Sequence, residues 1–119
     1  MAKITLIDDS QATIDMLAGI LKGANHNVNS YTDATAVEDK VAADKPDLIL
    51  LDIVMPARNG YEVLRGLRRN AATKDIPVIL VSSKSEDTDI RWGKRQGAAD
   101  YVTKPFTPDS VLSAVQNHV

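Results

Sequence analysis

The sequence of 119 residues contains no cysteine, and aromatic residues make up only 4% of it. The absence of cysteine excludes a disulfide framework, a thiolate metal site and a cysteine nucleophile. Because aromatic side chains are scarce, the hydrophobic core has to be built from aliphatic residues. The net charge is only −2 at pH 7, so the chain offers no general electrostatic attraction to nucleic acid or to an anionic membrane.

Long hydrophobic runs are also missing. No stretch approaches the roughly 20 apolar residues of a transmembrane helix, and the apolar run at residues 4–7 is too short for the core of a signal peptide. We therefore expect a soluble, cytoplasmic protein without a membrane or nucleic-acid partner. Domains cluster at about 100–150 residues, and we expect residues 1–119 to form one domain.

Short apolar runs alternate with segments of helical periodicity along the chain. The runs at residues 3–7, 27–31, 48–51, 78–81 and 101–102 are predicted to be β-strands. Between them, apolar residues recur with the spacing of a helix that packs one face on a core. The clearest stripes are Ile14, Leu17, Ala18 and Leu21, with Gly23 expected to end that helix; Val63, Leu64, Leu67 and Ala71; and Val111, Leu112, Val115 and Val119, after an N-cap at Thr107.

Segments 34–43 and 86–96 have weaker helical patterns, which completes an alternation of five strands and five helices. Such alternation predicts an α/β fold with a parallel sheet covered by helices on both faces. Strands 1, 3 and 4 are the most apolar and should be central, whereas strands 2 and 5 contain polar residues and suit the edges. We therefore predict a five-stranded, doubly wound, flavodoxin-like sheet of order 2-1-3-4-5.

Polar side chains stand where the predicted strands end. Asp8 and Asp9 follow strand 1, and Asp52 follows the apolar run of strand 3. Ser82 follows strand 4, and Lys104 follows strand 5. In a doubly wound sheet the carboxyl ends of the strands form the binding edge, so we expect these side chains to converge there.

Three clustered carboxylates repel one another, at a cost of about 4 kcal/mol for a pair at ~4 Å in an effective dielectric near 20. Lys104 offsets one charge, and a divalent cation would offset the rest. Oxygen ligands without cysteine or a nearby histidine favour Mg²⁺ over Zn²⁺. We expect Asp8, Asp9 and Asp52 to hold this ion. The backbone carbonyl of Val54 could complete the protein ligands.

A carboxylate beside Mg²⁺ and a lysine is also a workable nucleophile toward phosphorus, and it would form an acyl phosphate. The metal and the ammonium would neutralise charge on the transferring phosphoryl group. Asp52 emerges from a central strand and is the expected acceptor. Ser82 is placed to donate a hydrogen bond to a phosphoryl oxygen, and Lys104 supplies the ammonium.

Taken in order, the segments that carry these residues resemble bacterial response-regulator receiver domains, which have the CheY-like fold. The resemblance covers essentially the whole chain and rests on Asp8-Asp9-Ser10, Leu50-Leu51-Asp52-Ile53-Val54-Met55-Pro56, Asn59-Gly60, Ser82-Ser83 and Thr103-Lys104-Pro105. It implies that a histidine kinase phosphorylates Asp52. It also implies that Ser82 and Tyr101 are switch positions and that the Lys104–Pro105 peptide is cis.

The resemblance further implies that a downstream protein recognises the phosphorylated state on helix 4, strand 5 and helix 5. Residues 91–98 and 100–105 are similar to stand-alone receivers of type IV pilus and phototaxis systems, the PilH-like group, which implies a role in motility or taxis. Trp92 lies in this segment. It is either a partly buried anchor or part of a partner surface, and we favour the second.

Other functions remain open at this point. Phosphatases of the haloacid-dehalogenase type also use Asp, Lys, Ser or Thr and Mg²⁺, but they need a second acid at the position of Val54. A flavin-binding module of this topology would want a phosphate loop after strand 1, where Asp8 and Asp9 would repel the phosphate. The two aspartates could instead cap the first helix. The chain could also be the excised receiver of a larger regulator. We expect a phosphoacceptor and not an enzyme.

Overall fold

The computed structural model describes residues 2–119, which form five strands and five helices in strict alternation. The strands are β1 (Lys3–Ile7), β2 (Asn27–Tyr31), β3 (Leu48–Asp52), β4 (Val78–Ser82) and β5 (Asp100–Thr103). The helices are α1 (Gln11–Gly23), α2 (Val37–Asp44), α3 (Gly60–Arg69), α4 (Asp87–Arg95) and α5 (Pro108–Gln116). All strand pairs are parallel and their order is β2-β1-β3-β4-β5, so the predicted doubly wound sheet is confirmed.

The central strands are buried on both faces of the sheet. Every residue of β3 and β4 is buried, whereas β2 and β5 have half-buried or exposed positions, as predicted for edges. Successive side chains of a strand point to opposite faces. Leu50 therefore belongs to the core under α1 and α5, and Leu51 belongs to the core under α2 and α3. Two aliphatic layers thus hold the strands in place beneath their polar ends.

The weaker helix predictions are confirmed, since α4 lies within segment 86–96, α2 covers most of segment 34–43 and extends one residue beyond it, and Val37 and Val41 are buried. The Thr107 hydroxyl caps α5 by accepting from the Ser110 N–H at 3.1 Å. None of the helices among residues 2–119 has the length and apolar character needed to span a membrane.

Two residues of the predicted apolar stripes were assigned wrongly. α3 ends before Ala71, which is exposed. The reason is that the Asn70 side chain accepts from the Ala72 N–H at 2.9 Å and turns the chain out of the helix. α5 ends before Val119, which is 56% exposed at the end of the chain, where a helix has no further residues to pair with.

The end of α1 agrees with the prediction, since Gly23 is its last helical residue. The left-handed conformation that follows the helix is taken by Asn25, with φ of 68°. Asparagine tolerates this region because its short polar side chain can form local hydrogen bonds.

Two buried threonines differ in how their hydroxyl groups are paired. Thr5 lies in β1 and is fully buried, and its hydroxyl has no hydrogen-bond partner among residues 2–119. Thr73 is equally buried, but its hydroxyl donates to the Leu67 carbonyl at 2.6 Å. A buried polar group without a partner costs free energy, whereas a paired one contributes to stability.

We expect Thr5→Val to raise the free energy of unfolding by about 1 kcal/mol, because a methyl group replaces an unpaired hydroxyl of nearly the same shape. Thr73→Val is the matched control and should lower that free energy by about 1–2 kcal/mol, since it leaves the Leu67 carbonyl without its partner. Urea unfolding followed by circular dichroism measures both changes. A destabilised Thr5→Val protein would contradict the expectation.

Candidate functional site

The carboxyl edge of the sheet brings together the three carboxylates predicted from the sequence. Asp52 ends β3 and is 5% exposed, and Asp8 directly follows β1 and is 2% exposed. Asp9 is exposed beside them. One carboxylate oxygen from each of the three residues lies within 4.8 Å of the others. The strand order explains the cluster, because β1 and β3 are neighbours and end at the same level.

Lys104 reaches this cluster from the end of β5. Its Nζ lies 3.0 Å from Asp8 Oδ2 and 3.4 Å from Asp52 Oδ1, and the Lys104–Pro105 peptide is cis, as predicted. Burial lowers the pKa of Lys104, but the hydrogen bond to Asp8 and the charge of Asp52 outweigh burial and raise the pKa above its usual value. The ammonium therefore stays charged and balances one carboxylate.

The site holds more negative charge than its own residues balance, since three carboxylates face one ammonium. The pKa of Asp52 is raised to about 6, mainly because the carboxyl is buried and then because Asp8 lies beside it, while Lys104 opposes the shift. A divalent cation would remove this excess, and an oxygen-only donor set fits Mg²⁺. Asp8, Asp9 and Asp52 are the side chains that would hold it. The carbonyl ligand at Val54 stays a prediction.

Local hydrogen bonds orient the Asp8 carboxylate. Oδ1 accepts from the Ser10 N–H at 2.9 Å, and Oδ2 faces the Lys104 ammonium. The cap of α1 is Ser10, whose hydroxyl accepts from the Thr13 N–H at 3.2 Å. The N-cap of α1 is therefore Ser10 and neither Asp8 nor Asp9, so helix capping does not account for the two aspartates.

The predicted switch residues are connected through the main chain of the loop between β4 and α4. Ser82 is fully buried at the end of β4, and its hydroxyl accepts from the Lys84 N–H at 3.2 Å. The Tyr101 hydroxyl donates to the Lys84 carbonyl at 2.6 Å. Burial raises the pKa of Tyr101, and the charges of Asp89 and Asp52 add to this. The backbone of Lys84 is thus a link between Ser82 and Tyr101 that the sequence pattern did not reveal.

The other side chains named from the sequence lie outside the carboxylate cluster. Trp92 is 48% exposed on α4, and the Val54 side chain is 57% exposed in the loop after β3. Tyr101 lines a groove between α4 and α5, whereas Trp92 lines a separate depression on α4. The two residues assigned to a partner face therefore line different depressions, and α4 contributes residues to both.

Arg58 holds the loop after Asp52 in place, and it was not identified from the sequence. It lies in the loop that follows Asp52, where Nη1 donates to the Ala34 carbonyl at 3.1 Å. Its Nη1 and Nη2 donate to the two carboxylate oxygens of Glu38 at 2.5 and 2.6 Å, and Nε lies 3.4 Å from Glu62. Arg58 thereby ties the loop to α2 and α3. The spacing of Arg58 and Glu62 was visible in the sequence, but the contact with Glu38 depends on how α2 lies.

Gly60 allows α3 to begin close to the end of β3. Its N–H donates to the Ile53 carbonyl at 2.7 Å. A Cβ at this position would lie 2.7 Å from Ile53 Cα and would overlap the Asp52 carbonyl. Both obstacles are backbone atoms of Asp52 and Ile53, so a side chain at residue 60 would meet no flexible neighbour that could move aside.

Comparisons with known proteins agree with this geometry. The family model of the response regulator receiver domain matches residues 4–116. Protein PilH of Pseudomonas aeruginosa is 40% identical over 115 residues, which are 97% of this chain and 95% of PilH. The phosphate regulon transcriptional regulatory protein PhoB of the same species is 34% identical over 113 residues, which are 95% of this chain but 49% of PhoB. The chemotaxis response regulator CheY4 of Vibrio cholerae superposes with a TM-score of 0.92 at 27% identity, over 100% of this chain and 99% of CheY4.

We expect Gly60→Ala to lower the free energy of unfolding by about 2–3 kcal/mol, because overpacking against backbone forces α3 away from β3. Gly19→Ala is the matched control. A Cβ at Gly19, on the exposed face of α1, meets no atom within 4 Å, and the substitution should raise stability by up to about 1 kcal/mol. Denaturant unfolding of the two variants gives the comparison. Equal changes in the free energy of unfolding would contradict a destabilising clash between a side chain at residue 60 and the backbone of β3.

The Arg58–Glu38 pair makes a prediction about acid stability. Hydrogen bonds from Arg58 hold the pKa of Glu38 below its usual value. The pair therefore stabilises the fold above the unfolded pKa of about 4.3, and this contribution is lost as pH falls through the lower folded value. We expect Glu38→Gln to cost about 1–3 kcal/mol at pH 7 and to make the loss of stability between about pH 5 and pH 3 less steep.

The control for this variant is Asp39→Asn, on the same helix, because Asp39 is exposed and forms no ion pair in the described part of the chain. It should leave the pH dependence nearly unchanged. Urea midpoints measured across this pH range test both variants. Parallel pH profiles for wild type and Glu38→Gln would refute a stabilising role for the pair.

Proposed function

The chain belongs to the response regulator receiver domain family, and on that premise we propose that residues 1–119 form a receiver whose Asp52 accepts a phosphoryl group from a histidine kinase. The observation that carries the proposal is the arrangement at the strand ends. Lys104 Nζ contacts both Asp8 and Asp52, and the oxygens of Asp9 complete a carboxylate cluster. Packing does not account for three carboxylates in such a position, since two of them are buried at a cost.

In the transfer step, a carboxylate oxygen of Asp52 forms a bond to phosphorus as the bond between phosphorus and the donor nitrogen breaks. Bound Mg²⁺ would neutralise charge on the transferring group. Lys104 is close enough to Asp52 to bind a phosphoryl oxygen as well. The Ser82 hydroxyl accepts a bond from the Lys84 N–H, so its own proton is available for donation to the phosphoryl group. In this proposal Asp52 is the nucleophile, Lys104 binds a phosphoryl oxygen, and Ser82 donates a hydrogen bond to another.

Phosphorylation would act on the partner face through the loop between β4 and α4. A phosphoryl oxygen that accepts from the Ser82 hydroxyl would draw Ser82 toward it together with the Lys84 N–H that is bonded to Ser82, and the Lys84 carbonyl is the acceptor for Tyr101. Tyr101 lines the groove between α4 and α5, together with Ile90 and Val102. The groove at α4, β5 and α5 is therefore our proposed readout face for a downstream protein.

The match to PilH over nearly the full length of both chains favours a receiver that signals to a separate protein in motility or taxis. The match to PhoB, of which the chain spans about half, favours the alternative in which this receiver belongs to a larger regulator. An aspartate-nucleophile phosphatase is a weaker alternative, because the position two residues after Asp52 is Val54 and provides no second acid.

Incubation with acetyl phosphate and Mg²⁺ tests the proposal directly. We expect an intact-mass increase of one phosphoryl group that hydroxylamine removes and that chelation of Mg²⁺ prevents. Asp52→Asn should abolish the adduct, because an amide is not a nucleophile toward phosphorus. Asp109→Asn, at an exposed carboxylate of α5, is the matched control and should retain it. An undiminished adduct in Asp52→Asn would refute the proposal, and sustained turnover of a phosphomonoester would favour a phosphatase.

A further inference from the structure

The outer surface of α4 carries a large side chain that packs in neither of the two hydrophobic cores. Trp92 is the single tryptophan of the chain and is 48% exposed. It lies in a shallow depression with Thr88, Arg91 and Arg95. α4 packs on the sheet through Gly93, where a Cβ would come within 2.7 Å of Leu80. α4 is therefore held on the sheet by Gly93, and Trp92 belongs to neither hydrophobic core.

Trp92 and Ile90 lie on different flanks of α4. A helix has 3.6 residues per turn, so residues two apart project from nearly opposite sides of it. Ile90 lines the groove at β5. The Trp92 flank and the proposed readout groove are thus on opposite sides of α4.

α3 contributes a further arginine near this surface. Arg68 Nε donates to the Gly97 carbonyl, just after α4, at 3.2 Å. Arg65 precedes Arg68 by one helical turn, so it lies on the side of α3 that carries this contact. Arg65 is exposed. We therefore group it with the arginines of α4.

The charge of this surface is opposite in sign to that of the protein. Within residues 2–119, Arg65, Arg91 and Arg95 are exposed and form no ion pair, while the chain as a whole carries −2. Among the acidic residues nearby, Glu62 pairs with Arg58 and Asp89 accepts from the N–H of residue 86, whereas Asp87 is exposed one helical turn before Arg91. Two guanidinium groups thus line the depression beside the indole, and Arg65 provides a third on the neighbouring helix.

We propose that the Trp92 surface, which consists of Arg65, Arg91, Trp92 and Arg95, is a second docking site and that it binds an acidic protein segment with an apolar or aromatic side chain. Tryptophan and arginine dominate the energetic centres of protein interfaces. Guanidinium groups bind carboxylates through paired hydrogen bonds and also stack on indole. The inference goes beyond the proposed function, because the surface is separate from the Asp52 cluster and binds with Asp52 unphosphorylated.

The probe is a fluorescein-labelled amphipathic peptide of about 15 residues, with Leu and Phe on one helical face and Glu and Asp on the other. Anisotropy measured without a phosphodonor should report binding that weakens as salt rises from about 0.05 to 0.5 M, since screening removes exposed ion pairs. A peptide of equal charge with Ser in place of Leu and Phe should bind at least about tenfold more weakly.

Variants of exposed residues separate the contributions without disturbing the fold. Trp92→Ala should weaken binding by about tenfold or more, and Arg91→Gln, Arg95→Gln and Arg65→Gln by about two- to fivefold each. Met16→Ala is the control for Trp92, because Met16 is 57% exposed on α1. Lys22→Gln, at the end of the same helix, is the control for the arginines. Neither control should change the affinity.

Several results would overturn the proposal. These are no binding of the acidic peptide, an equal loss of affinity in Met16→Ala and Trp92→Ala, or binding that does not depend on the arginines. A single-stranded oligonucleotide or anionic phosphatidylglycerol vesicles that bind through Trp92 more tightly than the peptide would assign the surface to those ligands. Self-association in sedimentation that Trp92→Ala abolishes would assign it to a second copy of the chain.

Discussion

Repulsion among the carboxylates of Asp8, Asp9 and Asp52 is the constraint on which the rest of this structure depends. Two of the three are buried, and the pKa of Asp52 rises to about 6 even with the Lys104 ammonium 3.4 Å away. Such a cluster lowers the stability of the fold and is tolerated only where other interactions offset it. The fully buried aliphatic strands β3 and β4 provide that stability directly beneath the cluster.

Backbone and side-chain contacts keep the cluster in place from several directions. The Ser10 N–H orients Asp8, and the close approach of Gly60 fixes the start of α3 against the end of β3. Arg58 ties the following loop to Glu38 on α2. Rigid elements and well-bonded loops thus position the carboxylates, as the proposed phosphoacceptor role of Asp52 requires.

Helix α4 lies between two surfaces of different character. On one side, Tyr101 and the backbone of Lys84 connect the groove at β5 to Ser82 at the end of β4. On the other side, Trp92 lies in a depression with Arg91 and Arg95, outside the carboxylate cluster. Gly93 is the one buried residue of this helix, so α4 rests on the sheet through a small contact. The proposed readout groove and the proposed Trp92 surface therefore occupy separate flanks of the same helix.

The sequence by itself determined the strand order, the two cores and the convergence of Asp8, Asp52 and Lys104, because side-chain periodicity is local and parallel strands end at a common edge. The end of α1 at Gly23 was predicted correctly, whereas the ends of α3 and α5 were misjudged at Ala71 and Val119, where a local turn and the chain end outweighed periodicity. Only the tertiary structure decided the Arg58–Glu38 pair, the backbone contact at Gly60 and the flank on which Trp92 lies. Those contacts join residues from different elements, and no periodic pattern within one element encodes how loops and neighbouring helices lie against each other.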